Sequence, residues 1–301
     1  TPVLPGHGGL ILSIALCSTL AFWLEGKTRE WFSLSPWQNT AATRQAALEL
    51  ARRGMSIVGV HFDRAATMPK VNDIVSGVKA AGVKALFFNM NAADSAKREE
   101  TLDAVKKEFE SIPGATIRVL VHSLAFGTLK PYIGTKAANS MTQAQVEMTL
   151  DVMANSLVYW TQGVFFRGMM TAGASIYAMT SSGGHAVLPN YGAVSAAKAA
   201  LESHIRQLAL EMGPHGIRAN SIMAGVTDTP ALRKIPGAAS MLEIARRKNP
   251  QMRVTTPHDV ARAIALLAQD DAGFISANVI GVDAGEDIVS YVGQKSPREL
   301  E

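Results

Sequence analysis

The sequence predicts an α/β fold, a doubly wound parallel sheet of about seven strands with helices on both faces. From about residue 30 onward, short apolar runs alternate with helical patterns, which implies right-handed crossovers between parallel strands. Several runs, such as residues 57–60, are apolar on both faces, as is typical of strands covered by helices on each side. We therefore expect one domain at residues 30–285, between an N-terminal extension (1–29) and a C-terminal tail (286–301).

The elements follow from the period of the apolar residues. Short, nearly continuous apolar runs predict strands at residues 31–35, 56–62, 84–90, 118–124, 175–180, 218–224 and 279–283. Amphipathic patterns predict helices at residues 41–53, 71–81, 96–110, 144–170, 191–212 and 257–267. Thr256, Pro257 and Asp259 form a plausible N-cap, first turn and dipole-compatible acid for the last helix.

Composition excludes several classes of protein. The chain is 48% hydrophobic and 18% charged, which allows a large core and excludes a disordered chain. The single cysteine, Cys17, excludes an internal disulfide framework and fits a cytoplasmic location. The net charge of +4 is too small to indicate a nucleic-acid partner, and the seven histidines lack metal-ligand spacing, so no metal is expected.

The segment 10–24 is almost uncharged, but it is shorter than the roughly 20 residues that span a bilayer. A secretory signal would carry a basic residue ahead of this segment, but the first Lys or Arg is Lys27, which lies after it, so a secretory signal is not expected. We expect a helix that packs on the body or on another subunit. A membrane anchor is the less favoured alternative, and no membrane partner is expected.

Ligands of doubly wound sheets bind at the carboxyl ends of the strands. After the first predicted strand the chain lacks the glycines of a dinucleotide loop, although its small residues still permit a close backbone approach. After the second strand His61 stands where a ribose-binding acid would be expected, and Arg64 can reach a 2′-phosphate. A solvated turn is an equally good interpretation of Asp63 and Arg64. The candidate cofactor contacts along these first four strand ends are Ser35, Ala41, Ala42, His61, Arg64, Asn91, Ala92, Ser123 and Ala125.

The most informative segment contains Ser181, Tyr191 and Lys198. Tyr191 and Lys198 are seven residues apart, almost two turns, so both project from one face of a helix. Lys198 can bind ribose hydroxyls and lower the pKa of a nearby phenol, which would make Tyr191 a usable acid. His122, at the fourth strand, is better interpreted as a satisfied structural histidine than as a base.

These residues resemble the short-chain dehydrogenase/reductase superfamily and, within it, the bacterial enoyl-acyl-carrier-protein reductases. Tyr191 and Lys198 match the Tyr-x6-Lys spacing of those reductases, whereas Val194 stands where most of the superfamily carries its tyrosine. Asn155 matches the superfamily's structural asparagine. Further similar segments are residues 121–126, 189–191, 224–229 and 282–285.

The resemblance implies a Rossmann-type fold and reduction of trans-2-enoyl thioesters with NADPH, or NADH as a second choice, in type II fatty acid biosynthesis. Tyr191, Lys198 and Ser181 would be catalytic, Asn155 and Lys198 would support the cofactor, and Thr227 and Thr229 would hold the nicotinamide carboxamide. The substrate would be a thioester of acyl-carrier protein or coenzyme A. A homotetramer is expected, with contacts on the helices predicted at 144–170 and 191–212, whose outward faces include the apolar residues Leu157, Val158 and Trp160.

The segment 229–253 has the character of the family's substrate loop. Its apolar residues would line an acyl pocket, namely Leu232, Ile235, Met241, Leu242 and Ile244. Its basic residues would attract an acidic carrier protein, or else form an ordinary solvated helix face, namely Arg233, Lys234, Arg246, Arg247, Lys248 and Arg253.

Two departures from the family pattern indicate a divergent branch. The loop 35–43 lacks glycine, and Ser181 replaces the second tyrosine that many such reductases carry. We therefore expect weak inhibition by diphenyl ethers such as triclosan. A carbonyl, hydroxysteroid or 3-oxoacyl reductase of the same superfamily is the alternative function, and a non-catalytic cofactor-sensing protein is the second alternative.

Overall fold

The computed structural model describes residues 12–15, 19–22, 41–229, 232–234 and 237–290. Its sheet has eight strands. They are β1 (Leu12–Ala15), β2 (Thr19–Phe22), β3 (Ile57–His61), β4 (Ala85–Asn89), β5 (Val119–Ser123), β6 (Ser175–Thr180), β7 (Arg218–Ala224) and β8 (Val279–Val282). Their order across the sheet is β4-β3-β2-β1-β5-β6-β7-β8. All pairs except those of β2 are parallel, so the α/β class with a doubly wound sheet is confirmed.

The N-terminal segment 10–24 departs from its prediction. It was expected to form a helix, but it contributes β1 and β2 to the middle of the sheet, between β3 and β5. Only three residues separate these two strands along the chain, and so short a connection can join only antiparallel neighbours. This hairpin explains why β2 runs against the rest of the sheet. The strand predicted at 31–35 and the loop up to residue 40 lie outside the described residues.

Eight α-helices lie in the part of the chain that the structure describes. They are α1 (Ala41–Arg52), α2 (Met68–Ala80), α3 (Ser95–Glu110), α4 (Gln143–Leu150), α5 (Ser156–Phe166), α6 (Gly192–Met212), α7 (Ala238–Lys248) and α8 (Pro257–Leu267). The single helix predicted at 144–170 is instead divided by a π-helical turn, Asp151–Asn155. The predicted cap of α8 is confirmed, because Thr256 and Asp259 form a reciprocal capping box.

The core lies between the sheet and two groups of helices. One group joins α1 with α2 and α8, and the other joins α5 with α3 and α6, with α4 packed on α6. β3, β5 and β6 are buried along their whole length, as their two-sided apolar character predicted. Among the helices of the described residues, none is long and apolar enough to cross a membrane.

The apolar residues expected on the outside of α5 are placed differently. Leu157 and Trp160 are fully buried in the core of the single chain, and the Trp160 indole N–H donates to the Ala92 carbonyl at 3.0 Å. The interruption at 151–155 changes the helical phase on which the prediction relied. Tyr159 and Phe166 are the exposed aromatic residues of α5, and Leu210 is exposed on α6.

Candidate active site

Tyr191 stands at the start of α6, and its ring is held by the loop that follows β6. Asn190 has φ of 61°, a left-handed conformation that asparagine tolerates, and turns the chain into the helix. A Cβ at Gly183 would lie 2.5 Å from Tyr191 Cε1, so this glycine leaves the space in which the ring packs. Burial raises the pKa of Tyr191, while the neighbouring Ser181 hydroxyl acts in the opposite direction. The phenol is therefore protonated at neutral pH.

Lys198 lies almost two turns further along α6, as its spacing predicted. Its side chain is buried, and its Nζ donates to the Met179 carbonyl at 2.7 Å, near the end of β6. Burial lowers the pKa of Lys198 to about 8, and the nearby Glu202 carboxylate opposes this effect. The structure thus places a buried ammonium group beside the strand that leads to Ser181.

Ser181 follows β6 directly. Its Oγ is buried and has no hydrogen-bond partner of normal geometry among the described residues. A buried polar atom without a partner is costly, so this hydroxyl is suited to bind a ligand.

Position 194 offers no hydroxyl. Val194 is buried, and its Cγ2 would lie 2.8 Å from a Cβ at Gly127. Ser195 donates its hydroxyl to the Gly183 carbonyl instead of facing Tyr191. On this part of α6, Tyr191 is therefore the hydroxyl available to act as an acid.

His122 lies near enough to Lys198 to feel its charge, and Asn155 contacts α6 through His204. Ser156 Oγ donates to the Val152 carbonyl, so it accepts from His122 Nε2 at 2.8 Å, which fixes the tautomer. His122 Nδ1 has no partner among the described residues, so the prediction of a satisfied histidine holds for one nitrogen only. Burial, and then the charges of Lys198 and His204, hold the pKa of His122 well below its usual range. Asn155 Oδ1 faces His204 Nε2 at 3.2 Å.

The N-terminal turn of α1 reaches the same sheet edge. Thr43 Oγ1 donates to Ser123 Oγ at 3.2 Å, which ties this turn to the end of β5. Ala41 and Ala42 begin the helix, and its first turn carries no acidic residue. Small residues and free N–H groups at a helix N-terminus suit an anion. Ala125 follows in the loop after β5, whereas Ser35 lies outside the described residues.

At the end of β3, His61 and Asp63 are paired. His61 Nδ1 lies 3.2 Å from Asp63 Oδ2, and both side chains are buried. Asn89, at the end of β4, holds the Asp63 backbone by accepting from its N–H at 2.8 Å and donating to its carbonyl at 3.0 Å. Asp63 Oδ1 is buried without a partner among the described residues. The acid at this strand end is therefore Asp63, with His61 as its support, and Arg64 is exposed beside it.

The next strand end contains Asn91 and Ala92. Asn91 is exposed and accepts from the Ala93 N–H at 3.1 Å. Ala92 is fully buried. Asn91 is thus the member of this pair that faces solvent.

After β7, the segment with Thr227 and Thr229 is held by its own hydroxyls and by Glu286. Thr227 donates to the Gly225 carbonyl at 2.9 Å, and Thr229 Oγ1 accepts from Leu232 N–H at 3.1 Å. Glu286 Oε1 accepts from the Val226 N–H at 3.0 Å, and burial raises the pKa of this carboxyl. Sequence reasoning missed Glu286, although it directly follows the predicted end motif 282–285.

The predicted substrate loop contains α7, a surface helix with only Ala245 fully buried. Ile244 is exposed, Met241 and Leu242 are partly buried, and Ile235 lies outside the described residues. Several cations of the predicted basic rim are paired. The pairs are Arg233 with Asp228, Arg246 with Glu243, and Arg253 with Asp259. Lys248 donates to the Asp287 carbonyl at 3.2 Å.

The described residues contain no group of three or more histidine, cysteine, aspartate or glutamate side chains that could hold a metal ion. The site is thus made of a phenol, a buried ammonium, a hydroxyl and backbone groups at the carboxyl edge of the sheet.

The sequence is similar to those of known reductases. The chain is 29% identical to the NADH-type enoyl-[acyl-carrier-protein] reductase FabI of Nostoc sp. over 242 residues, which cover 80% of this chain and 89% of that protein. It is 31% identical to the FabI of Synechocystis sp. over 196 residues, 65% of this chain and 72% of that protein.

Solved structures share the fold. The crystal structure of FabI from Candidatus Liberibacter asiaticus has a TM-score of 0.73 at 21% identity, covering 89% of this chain and 98% of that one. The enoyl-[acyl-carrier-protein] reductase from Anaplasma phagocytophilum, solved in complex with NAD, has a TM-score of 0.70 at 20% identity, covering 90% of this chain and 96% of that one. The family model described as enoyl-(acyl carrier protein) reductase matches residues 41–286. With that match spanning the whole site, the chain belongs to the enoyl-(acyl carrier protein) reductase family.

Proposed function

We propose that this chain reduces trans-2-enoyl thioesters with a nicotinamide dinucleotide, in the cytoplasmic type II synthesis of fatty acids. The observation that carries the proposal is the position of the Tyr191 phenol at the start of α6. Tyr191 begins the helix, Lys198 follows almost two turns later, and the intervening Val194 is apolar and buried.

The sheet edge fits a dinucleotide. Ser181 Oγ after β6 and Asp63 Oδ1 after β3 are both buried without a hydrogen-bond partner of normal geometry among the described residues. Three strands lie between β3 and β6, so these strand ends are about 19 Å apart at a spacing of about 4.8 Å, which an extended dinucleotide can span. The N-terminus of α1, tied to Ser123 at the same edge, suits the pyrophosphate.

The bound reduced nicotinamide would supply the hydride that C3 of the substrate accepts. Tyr191 donates a hydrogen bond to the thioester oxygen, stabilises the negative charge that develops there and then gives its proton to the enolate that hydride transfer leaves. Lys198 gives one of its three ammonium protons to the Met179 carbonyl, and the others serve ribose hydroxyls and the field at Tyr191. The buried Ser181 hydroxyl beside Tyr191 adds a hydrogen bond to the thioester oxygen or to Tyr191.

The position of Tyr191 favours an enoyl substrate over a ketone. In a ketone the carbon that accepts hydride also carries the oxygen, so the acid must lie beside that carbon. In an enoyl thioester, C3 is two bonds beyond the carbonyl carbon, so the acid must be displaced. A tyrosine at 191 instead of 194 is displaced by about 4.5 Å along the helix axis.

We propose NADPH as the preferred dinucleotide because Arg64 is exposed after β3, where a guanidinium can meet a 2′-phosphate. Two observations favour NADH instead. The unpartnered Asp63 Oδ1 suits a ribose hydroxyl, and the Nostoc and Synechocystis relatives carry NADH in their names. A direct comparison of the two cofactors decides between them.

The proposed acyl donor is a thioester of acyl-carrier protein, with coenzyme A as the alternative carrier. The exposed cations of α7 support docking of an acidic carrier. The proposed assembly is a homotetramer, which the exposed Tyr159, Phe166 and Leu210 of α5 and α6 support. Weak inhibition by diphenyl ethers is proposed from the small Ser181 side chain.

The experiment is a spectrophotometric assay with crotonyl and acetoacetyl thioesters and both nicotinamides. We expect oxidation of reduced nicotinamide with crotonyl thioester and little or none with acetoacetyl thioester. Faster reduction of the ketone would overturn the proposal in favour of a 3-oxoacyl or carbonyl reductase. Tight NADPH binding without turnover of either substrate would overturn it in favour of a cofactor sensor.

A further inference from the structure

Three side chains on one face of α6 hold the end of β6 and the loop that begins with Ser181. Ser195 donates to the Gly183 carbonyl, Lys198 to the Met179 carbonyl, and Glu202 accepts from the Thr180 hydroxyl. Their spacing of three and four residues is that of one helix face. The segment on either side of Ser181 is thus attached to α6 at three points.

Glu202 is the acidic member of this set. Its Oε1 lies 2.5 Å from Thr180 Oγ1, and a Cβ at Gly184 would lie 2.8 Å from the same oxygen. The carboxylate therefore sits between the last residue of β6 and the loop that carries Ser181. It also follows Lys198 by one turn, so both charged groups face the same strand end.

The other titratable groups near Lys198 do not supply a negative charge. His122 on β5 is buried and neutral, and burial also lowers the pKa of His204 on α6. Burial keeps Tyr191 protonated by raising its pKa. Among the described residues, Glu202 is the anion whose field acts on the Lys198 ammonium, against the effect of burial.

We propose that Glu202 is a positioning residue of this site, which fixes the segment of Ser181 through Thr180 and places its carboxylate on the same helix face as the Lys198 ammonium, one turn later. Its catalytic consequence rests on the proposed function. The titration of Lys198 does not depend on the proposed function, because it is measured on the chain without substrate. The two ideas can therefore fail separately.

The first test is an NMR titration of lysine labelled with ¹³C at Cε, with the Lys198 resonance assigned from the Lys198→Arg variant. Glu202→Gln keeps an acceptor for Thr180 and removes the charge. We expect the Lys198 midpoint to lie near pH 8 in the unaltered chain and at a lower pH in Glu202→Gln, because the charge that favours the ammonium form is removed. Glu211→Gln removes an exposed acid of the same helix and should leave the midpoint unchanged. Equal midpoints in all three proteins would overturn the inference.

The second test is the pH dependence of kcat/KM for crotonyl thioester. The alkaline limb should move to lower pH in Glu202→Gln, and Glu202→Asp, which keeps the charge, should restore most of the shift. A uniform loss of kcat with no movement of the limb would overturn the electrostatic role. If the unaltered chain reduces no enoyl thioester, the proposed function fails, and the NMR titration still decides the role of Glu202.

Discussion

The ring of Tyr191 fills the space next to Gly183, where a Cβ would lie 2.5 Å from Cε1 and 3.0 Å from Cδ1. Gly183 is itself held by the Ser195 hydroxyl, which donates to its carbonyl. Gly183 therefore sets the position of the Tyr191 phenol, and the hydrogen bond from Ser195 holds the loop of Gly183 against α6.

Gly183→Ala should displace the phenol without unfolding the chain. Misplacement of a catalytic group by about 1 Å can cost about 10²-fold in rate, so we expect a large fall in kcat for crotonyl thioester with cofactor affinity nearly unchanged. Gly213→Ala is the matched control, because a Cβ there meets nothing within 4 Å. Full activity of Gly183→Ala would show that the ring is not confined in this way.

The cap of α8 predicts a pH-dependent stability. The hydrogen bond from Arg253, followed by those from Thr256, holds the pKa of Asp259 far below its ordinary 3.8. Because the pKa of this carboxyl is lower in the folded than in the unfolded chain, its ionised form stabilises the fold at any pH above the unfolded-state pKa. This contribution is lost as the pH falls towards and through the folded-state pKa. Asp259→Ala should lower the free energy of unfolding by about 1 kcal/mol at neutral pH.

The difference between Asp259→Ala and the unaltered chain should shrink only below about pH 4. Denaturant unfolding at pH 7 and at successively more acidic pH measures it. The control is Asp271→Ala, which removes an exposed acid. An equal loss of stability in both variants at pH 7 would contradict a specific role for the cap.

Arg64 should determine cofactor preference if its guanidinium meets the 2′-phosphate. Arg64→Ala should raise the KM for NADPH by about tenfold or more, the scale of one charge-assisted contact, and change the KM for NADH little. Lys70→Ala, which removes an exposed cation of α2, controls for net charge. Equal effects of Arg64→Ala on both cofactors would refute the assignment.

Phe166 should contribute to a subunit interface, because it is 79% exposed on α5. Phe166→Glu should reduce the molar mass measured by light scattering at micromolar concentration. The control is Phe274→Glu, which alters a fully exposed aromatic residue after α8 and should leave the molar mass unchanged. A monomeric unaltered chain would contradict the proposed tetramer.

The sequence predicted the elements around Tyr191 and Lys198 well, because β6 and α6 have strong and distinct periods. It mispredicted residues 10–24, since an uncharged apolar stretch is compatible with a helix or with buried strands until its sheet neighbours are known. The π-helical turn Asp151–Asn155 could not be predicted, because five residues are too few to show a spacing of apolar residues different from that of an α-helix.

The supporting contacts of the site required the folded chain. His61 and Asp63 are two residues apart, but their pairing depends on Asn89 from another strand. Glu202 has the spacing of an ordinary helix-surface acid, and only the position of Thr180 shows that it faces the sheet. Periodicity identifies which residues share a face, whereas the partner across the interface is a tertiary property.

Tyr191→Phe is the sharpest test of the proposed chemistry. The variant keeps the ring that packs on Gly183 and removes only the hydroxyl, so folding and cofactor binding should be nearly unchanged. Turnover of crotonyl thioester should fall by roughly 10²–10⁴, the usual scale for removing a positioned acid. Lys198→Ala should weaken both cofactor binding and turnover, because the ammonium serves the ribose as well as the phenol. Tyr159→Phe, which alters an exposed tyrosine of α5, should behave as the unaltered chain. If Tyr191→Phe keeps most of its activity, the acid is another group, and the position of Tyr191 no longer favours an enoyl substrate over a ketone.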